Sequence, residues 1–205
     1  LNEESIIIHI CQQPDSFRGS GIVFMYRIIV LVVFAFFLCP PQQGEAEVAN
    51  SSPQGFLLKN EVTITAVPDS VFDAVVNYID SWWDPAHTYS GDSGNLTLEV
   101  EVGGCFCEEL PYGGGVRHME VVYISPGKLL RMRGALGPLQ ASGLAGSMTW
   151  SFREEEDSTK LLLSYNVGGY FEGDIEQLAP VVDSVLRGQL LRLKAFVETG
   201  SPEVD

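Results

Sequence analysis

The 205-residue chain is poor in the residues that several protein classes require. Only 12 side chains are Lys or Arg, against 27 Asp and Glu, for a formal charge of −15. That deficit excludes a nucleic-acid partner, because phosphate backbones are met by clustered cations. It also disfavours docking on anionic lipid headgroups. Four cysteines, at positions 11, 39, 105 and 107, are too few for a disulfide scaffold. No G-x-x-x-x-G-K phosphate loop, G-x-S-x-G nucleophile elbow or H-E-x-x-H zinc motif occurs. What the chain does have is 45% hydrophobic residues, enough for the core of one domain and too many for a disordered acidic tail.

Long apolar runs are also scarce. The exception follows Met25-Tyr26-Arg27: twelve apolar residues from Ile28 to Cys39, then the polar stretch Pro40 to Ala46. A positive start, a short apolar run and a small-x-small end (Gly44-Glu45-Ala46) describe a secretory signal peptide over residues 25–46. As a helix the run would cover about 18 Å, short of a ~30 Å hydrocarbon core. The expectation is a secreted or periplasmic protein starting near Glu47, with no stable membrane embedding after cleavage; a retained anchor is the alternative. Residues 1–24 read as an upstream extension, and 47–55 (EVANSSPQG) as a polar linker.

The remainder alternates between strand and helix signals. Val62, Ile64 and Ala66 alternate as on a strand. Pro68-Asp69-Ser70 opens a helix capped by Asp69 or Ser70, which carries Val71, Phe72, Val75, Val76 and Ile79 and closes at Trp82-Trp83. Strands are then expected at 96–102, 105–110, 116–124, 129–136, 147–153 and 161–167, separated by glycine- and proline-bearing turns. Gly137 to Gly146 reads as a loop with room for one helical turn. A long amphipathic helix follows, with Leu178, Val182, Val185, Leu186, Gln189, Leu193 and Phe196 on one stripe. Hairpin-connected strands make an antiparallel sheet, and only the last helix is large enough to cover its apolar face.

On this order, and on the segments ITAVPDSVFDAVVNY (64–78), Gly103-Gly104, VVYISPGKLLRMRG (121–134), TKLLLSYNVGG (159–169) and LLRLKAFVE (190–198), residues 56–199 resemble the SRPBCC superfamily of START-like proteins. That superfamily includes polyketide cyclase-like and lipid-transport proteins and homologues of the heat-shock ATPase activator. WWDPAHTYSGD (82–92) resembles a bacterial subgroup of unassigned role. The resemblance implies an α+β helix-grip fold: a curled antiparallel sheet of six to seven strands wrapped round the long C-terminal helix, with a ligand cavity between. It implies no shared reaction.

Candidate ligand contacts follow. Trp82, Trp83, His87 and Tyr89 stand at the end of the short helix and in the loop after it, placed to gate a cavity. Tyr123, Trp150 and Tyr165 alternate with outward residues on successive strands and are placed to line it. Gln189 lies on the apolar stripe of the last helix, where a buried amide needs a partner, in the cavity or at a sheet carbonyl. The pair Cys105-x-Cys107 faces one side of its strand. With a four-residue turn after it, Cys107 falls opposite His118 and Cys105 opposite Glu120, which in turn faces Arg133. Such a patch could hold zinc, although the spacing is not the usual one; the other reading is two small buried cysteines beside a Glu120–Arg133 cross-strand pair. A Cys105–Cys107 disulfide is disfavoured because same-face neighbours on an extended strand diverge. No catalytic residue, metal site or cofactor is assigned.

The expected function is therefore an exported carrier for an apolar small molecule. A cyclase- or aromatase-like enzyme using His, Tyr or Glu–Arg groups is one alternative. An interaction module like the heat-shock ATPase activators is another, and the export signal counts against it. N-terminal sequencing of exported protein should begin near Glu47; a terminus at Met25 or Leu1 would contradict the signal assignment.

Overall fold

The computed structural model describes residues 46–204, so the signal-peptide assignment to 25–46 lies, but for its last residue, outside them. Eight antiparallel strands run β1 (Ala46–Ser52), β2 (Gly55–Ile64), β3 (Leu96–Leu98), β4 (Cys105–Leu110), β5 (Gly114–Ser125), β6 (Leu129–Gly134), β7 (Leu144–Glu155) and β8 (Ser158–Gly169). The helices are α1 (Pro68–Asn77), α2 (Ile79–Trp82), α3 (Pro138–Ala141) and α4 (Ile175–Thr199). In the sheet the order is β1-β2-β8-β7-β6-β5-β4-β3, which leaves β1 and β3 as free edges of a curled, unclosed sheet.

Alternation places the core. Phe56, Leu58, Val62 and Ile64 on β2, Met148, Trp150 and Phe152 on β7, and Leu161, Leu163, Tyr165 and Val167 on β8 are all buried. They pack against Leu186, Leu190 and Leu193 of α4 and Val71, Phe72 and Val75 of α1. Trp82 and Trp150 meet edge to face, centroids 6.3 Å apart, and fill the middle of the space between sheet and helices.

The helix α4 is fixed by polar contacts at intervals along its length. Asp174 caps its start by accepting from the Glu176 amide, and Gly200 ends it in the left-handed region at φ 80°. The buried Asn60 donates Nδ2–H to Asp183 Oδ1 at 2.8 Å. Nearer the C-terminus, Lys194 donates to the Thr63 carbonyl, and Glu198 accepts from the Thr65 amide.

Four sequence expectations need correction. Residues 46–52 are an edge strand rather than linker, paired antiparallel with β2 from Ala46↔Asn60 to Ser52↔Gly55. The polar side chains of Asn50, Ser51 and Ser52 suit a strand with one open side. With β1 included, the sheet has eight strands among the described residues, not six or seven. The alternating run after Leu96 leaves the ladder at Leu98: the carboxylate of Glu99 accepts from the Cys105 amide, and Gly103 turns the chain at φ 89°. Val100 and Val102 are exposed as a result. Finally, α1 begins with Pro68 in its first turn and has no side-chain cap.

Trp150→Ala should cost about 3–5 kcal/mol of unfolding free energy, measured by urea denaturation. Trp150 Nε1 is buried without a partner, so Trp150→Phe removes an unsatisfied donor along with the packing and should cost well under half as much.

Candidate functional site

Two β-bulges on β5 decide which side chains face inward. From Leu110↔Gly114 the β4–β5 register runs to Cys107↔Arg117, then shifts to Phe106↔Met119, leaving His118 as the extra residue. A second shift, between Val121 and Tyr123 against β6, leaves Val122 extra. The turn after β4 holds three residues, Pro111–Gly113, with Tyr112 in the left-handed region at φ 64°. A four-residue turn would have set the register expected from the sequence. Here the first bulge restores it against β4 and the second against β6, so Cys105↔Glu120 and Glu120↔Arg133 do pair, while Cys107 faces Arg117. Glu120 forms its ion pair with Arg117 at 3.0 Å, not with Arg133.

The three-residue turn gives His118 the inward parity of Val116, opposite Glu108, and the bulge brings Met119 to the same buried side next to it. A Cβ at Gly134 would overlap the His118 carbonyl and lie 2.8 Å from Met119 Cα, so a glycine lets β6 approach the bulge. The zinc patch does not assemble: His118 points inward and the cysteines do not. Among the described residues no group of three His, Cys, Asp or Glu could hold a metal ion. Contrary to expectation, Cys105 and Cys107 are joined as a disulfide with Cα atoms 5.4 Å apart. A straight strand would hold them about 6.6 Å apart; the observed separation lies inside the usual bridging range.

Alternation on β4 points Phe106 and Glu108 inward. Glu108 is buried, and its carboxylate is fully engaged. It accepts from the Tyr89 amide at 3.0 Å, from the Ser90 amide, and from His118 Nε2 at 3.1 Å. Burial alone would raise its pKa; the hydrogen bonds from Tyr89, Ser90 and His118 outweigh burial and hold it below the ordinary carboxylate value. For His118, burial pushes the pKa below the ordinary imidazole value, against the opposing pull of Glu108. The Tyr89 ring stacks on His118 with centroids 6.0 Å apart, and the Tyr89 hydroxyl donates to the Gly137 carbonyl at 2.9 Å.

The loop between α2 and β3 is pinned from its other side too. Gln189 of α4 accepts from the Asp84 amide at 2.9 Å, and Arg192 Nε donates to the Trp82 carbonyl at 3.0 Å. Trp83 Nε1 donates to the His87 carbonyl at 3.2 Å. The partner of Gln189 is thus a loop amide, not a sheet carbonyl.

These elements enclose an open cavity of about 350 Å³. Trp83, Leu96 and Phe106 form one wall, Leu136 to Leu139 another, and Val181, Val182, Val185 and Leu186 of α4 a third. His87, Thr88, Tyr89 and His118 supply its polar side chains. The volume lies at the low end of the ~300–1,000 Å³ of small-molecule pockets.

Of the residues singled out from the sequence, Trp83, His87 and Tyr89 line this cavity. Gln189 lies beside it in a shallower groove shared with His87. Trp82, Trp150 and Tyr165 are fully packed core; the Tyr165 hydroxyl spans Gly134 O and Leu136 N at 3.4 Å each, and burial pushes its pKa up to about 12. Tyr123 is half exposed, with Arg131 over its ring, because the bulge at Val122 reverses the alternation. Sequence reasoning missed Glu108 and gave His118 the wrong face. Glu108 carried a readable signal: a carboxylate two residues from Phe106, on the inward parity of an alternating strand.

No protein-family model matches the sequence, and no curated protein matches it. Solved structures do. A conserved protein of unknown function from Enterococcus faecalis is 18% identical with a TM-score of 0.52, covering 84% of this chain and 88% of that one. CalU16 from Micromonospora echinospora is 16% identical with a TM-score of 0.53, covering 78% and 88%. DynU16, from the dynemicin biosynthetic locus, is 18% identical with a TM-score of 0.51, covering 71% of this chain and 48% of its own. At such identities the likeness carries the fold. The protein has a helix-grip fold, an α+β sheet curled about its C-terminal helix.

Acid should act on the site in two stages of the same sign. His118 titrates lower in the folded chain, so its contribution is present above pH ~6.5 and is lost as pH falls through its folded value. That of Glu108 is present above its unfolded value and is lost only in stronger acid. Urea midpoints measured between pH 8 and 3 should therefore fall in two steps, and His118→Gln should remove the upper one.

Proposed function

We propose that the protein binds a ring-sized, largely apolar small molecule between the sheet and α4, receiving one hydrogen-bonding group of that ligand at His118. The observation that carries this reading is the open apolar cavity with a buried, oriented imidazole in its wall. A pocket of this composition gains affinity from apolar burial and orientation from few polar groups. Among the described residues no Lys or Arg lines it, which favours a neutral ligand over an anion. The place of DynU16 in a biosynthetic locus agrees with small-molecule handling but does not choose the molecule.

Export completes the reading. The apolar run 28–39 lies upstream of β1, and removal of residues 1–46 would leave the pairing from Glu47↔Lys59 onward intact. An exported carrier would hold its ligand in this cavity and release it past the loop that carries His87 and Tyr89.

Titration with the neutral fluorophore phenylnaphthylamine tests the pocket. Saturable binding with quenching of Trp83 is expected. Val185→Trp, which fills the cavity from α4, should weaken binding about tenfold or more, or ~1.4 kcal/mol, with an unchanged urea midpoint. Binding no better than to the denatured chain would overturn the reading.

A further inference from the structure

We propose that His118 is a general base: its Nδ1 removes a proton from a carbon acid bound in the cavity, with Glu108 as the positioning residue behind it. This rests on the binding reading above and gives the same pocket a reaction. The substrate class is a ring-sized, mostly apolar molecule whose C–H is acidified by a neighbouring carbonyl or electron-poor ring.

The argument begins with the tautomer. Glu108 accepts two backbone N–H groups as well as His118 Nε2, an arrangement that favours its ionised, acceptor-only form. His118 must then donate at Nε2, which leaves the lone pair of the neutral ring on Nδ1. That nitrogen has no hydrogen bond among the described residues. Among them, the sealed and partnerless side-chain polar atoms are Asn60 Oδ1 and Trp150 Nε1, so Nδ1 is not sealed, and His118 lines the cavity. A carboxylate that fixes the tautomer and steadies the imidazolium formed on proton uptake is the arrangement a base of this kind needs.

Other charges leave this assignment intact. Glu108 faces the ring from β4, Tyr89 stacks on it from the loop, and His87 lines the same cavity; among the described residues no Lys, Arg, Asp or Glu lines the cavity. Arg117 and Glu120 pair with each other in an exposed position on β5.

The step balances without a co-reactant. Nδ1 takes the α-proton, the C–H electron pair becomes the carbon–carbon double bond of an enolate, and the charge moves to the carbonyl oxygen. Return of the proton from the imidazolium to another carbon gives an isomer; return to the same carbon gives exchange with solvent.

The Kemp elimination of nitrobenzisoxazole is the test, since it needs only a base in an apolar site. The base takes the ring C–H proton, the C–H pair forms the nitrile, and the N–O bond breaks to release a coloured phenolate. The expected result is a saturable rate, competed by phenylnaphthylamine, that rises to a plateau with an inflection below pH ~6.5. His118→Gln should lower the rate at saturating substrate on the order of 10²-fold, a loss well beyond any it causes in phenylnaphthylamine affinity. Glu108→Gln should lower the plateau and move the inflection to lower pH, because Glu108 raises the pKa of His118. If either variant fails to fold, ¹⁵N NMR of the native protein decides: protonated Nε2 and bare Nδ1 at neutral pH are required, and the opposite tautomer overturns the proposal. An unchanged rate in a folded His118→Gln protein, or no saturable rate while phenylnaphthylamine still binds, refutes the base and leaves the pocket standing. Loss of both binding and turnover in the native protein refutes both.

Discussion

A carboxylate on the apolar side of a sheet has to be answered by donors, and most of the site follows from how Glu108 is answered. Left alone, a buried charge of this kind would cost several kcal/mol. Its donors come from two places distant in sequence, the amides of Tyr89 and Ser90 and the ring of His118. One side chain therefore fixes the path of the loop after α2, the inward turn of the β5 bulge and the tautomer of the imidazole. The loop could otherwise pass the sheet at many heights, because its own turns, capped by Asp84 and Asp92, are local and exposed.

The division between core and pocket follows from where the large side chains sit. Trp82 and Trp150 occupy the middle of the interior, and Phe72 meets Phe152 edge to face nearby. Trp83, next to Trp82 in sequence, leans instead on Phe106 with centroids 5.6 Å apart and becomes a cavity wall. Adjacent tryptophans thus serve the core and the boundary of the open space. A sheet of this width cannot be covered by one helix stripe. The uncovered remainder is filled by indole in the middle and left open toward one end, between Val181, Val182 and Val185 on one side and Leu136 and Leu139 on the other.

What the sequence made legible was the periodic part. The faces of β2, β7 and β8, the long helix and the element order follow from alternation and helical spacing, and these carry the fold. Illegible were the features that break a period. A bulge adds one residue and reverses every face beyond it, and nothing in VRHMEVVY (116–123) marks His118 and Val122 as the extra residues. Tyr123 was placed inside for that reason, and His118 on the cysteine side because the turn before it is one residue shorter than expected. The disulfide escaped because the regular strand spacing assumed for Cys105 and Cys107 is longer than the 5.4 Å between their Cα atoms. Glu108 was legible in principle, but only once the loop that supplies its donors could be brought to it, and that contact spans 19 residues of sequence.

The same bonds decide where the cavity can open. On one side the loop is held by a buried carboxylate, on the other by Gln189 and Arg192 of α4. Breaking the first exposes or strands a charge; breaking the second strands a buried amide, at about 1–3 kcal/mol. Between these anchors, Tyr89 is half exposed and closes the wall through its hydroxyl bond to the Gly137 carbonyl. That bond lies in solvent, and its net worth is about 0.5–1.5 kcal/mol because water replaces it when it breaks. Gly137 adopts a positive φ of 50° just before α3, so that carbonyl belongs to a short connection and not to a ladder. Rotation of Tyr89 away from Gly137 is thus the least costly opening of the wall, and it uncovers the face of His118 on which Tyr89 stacks.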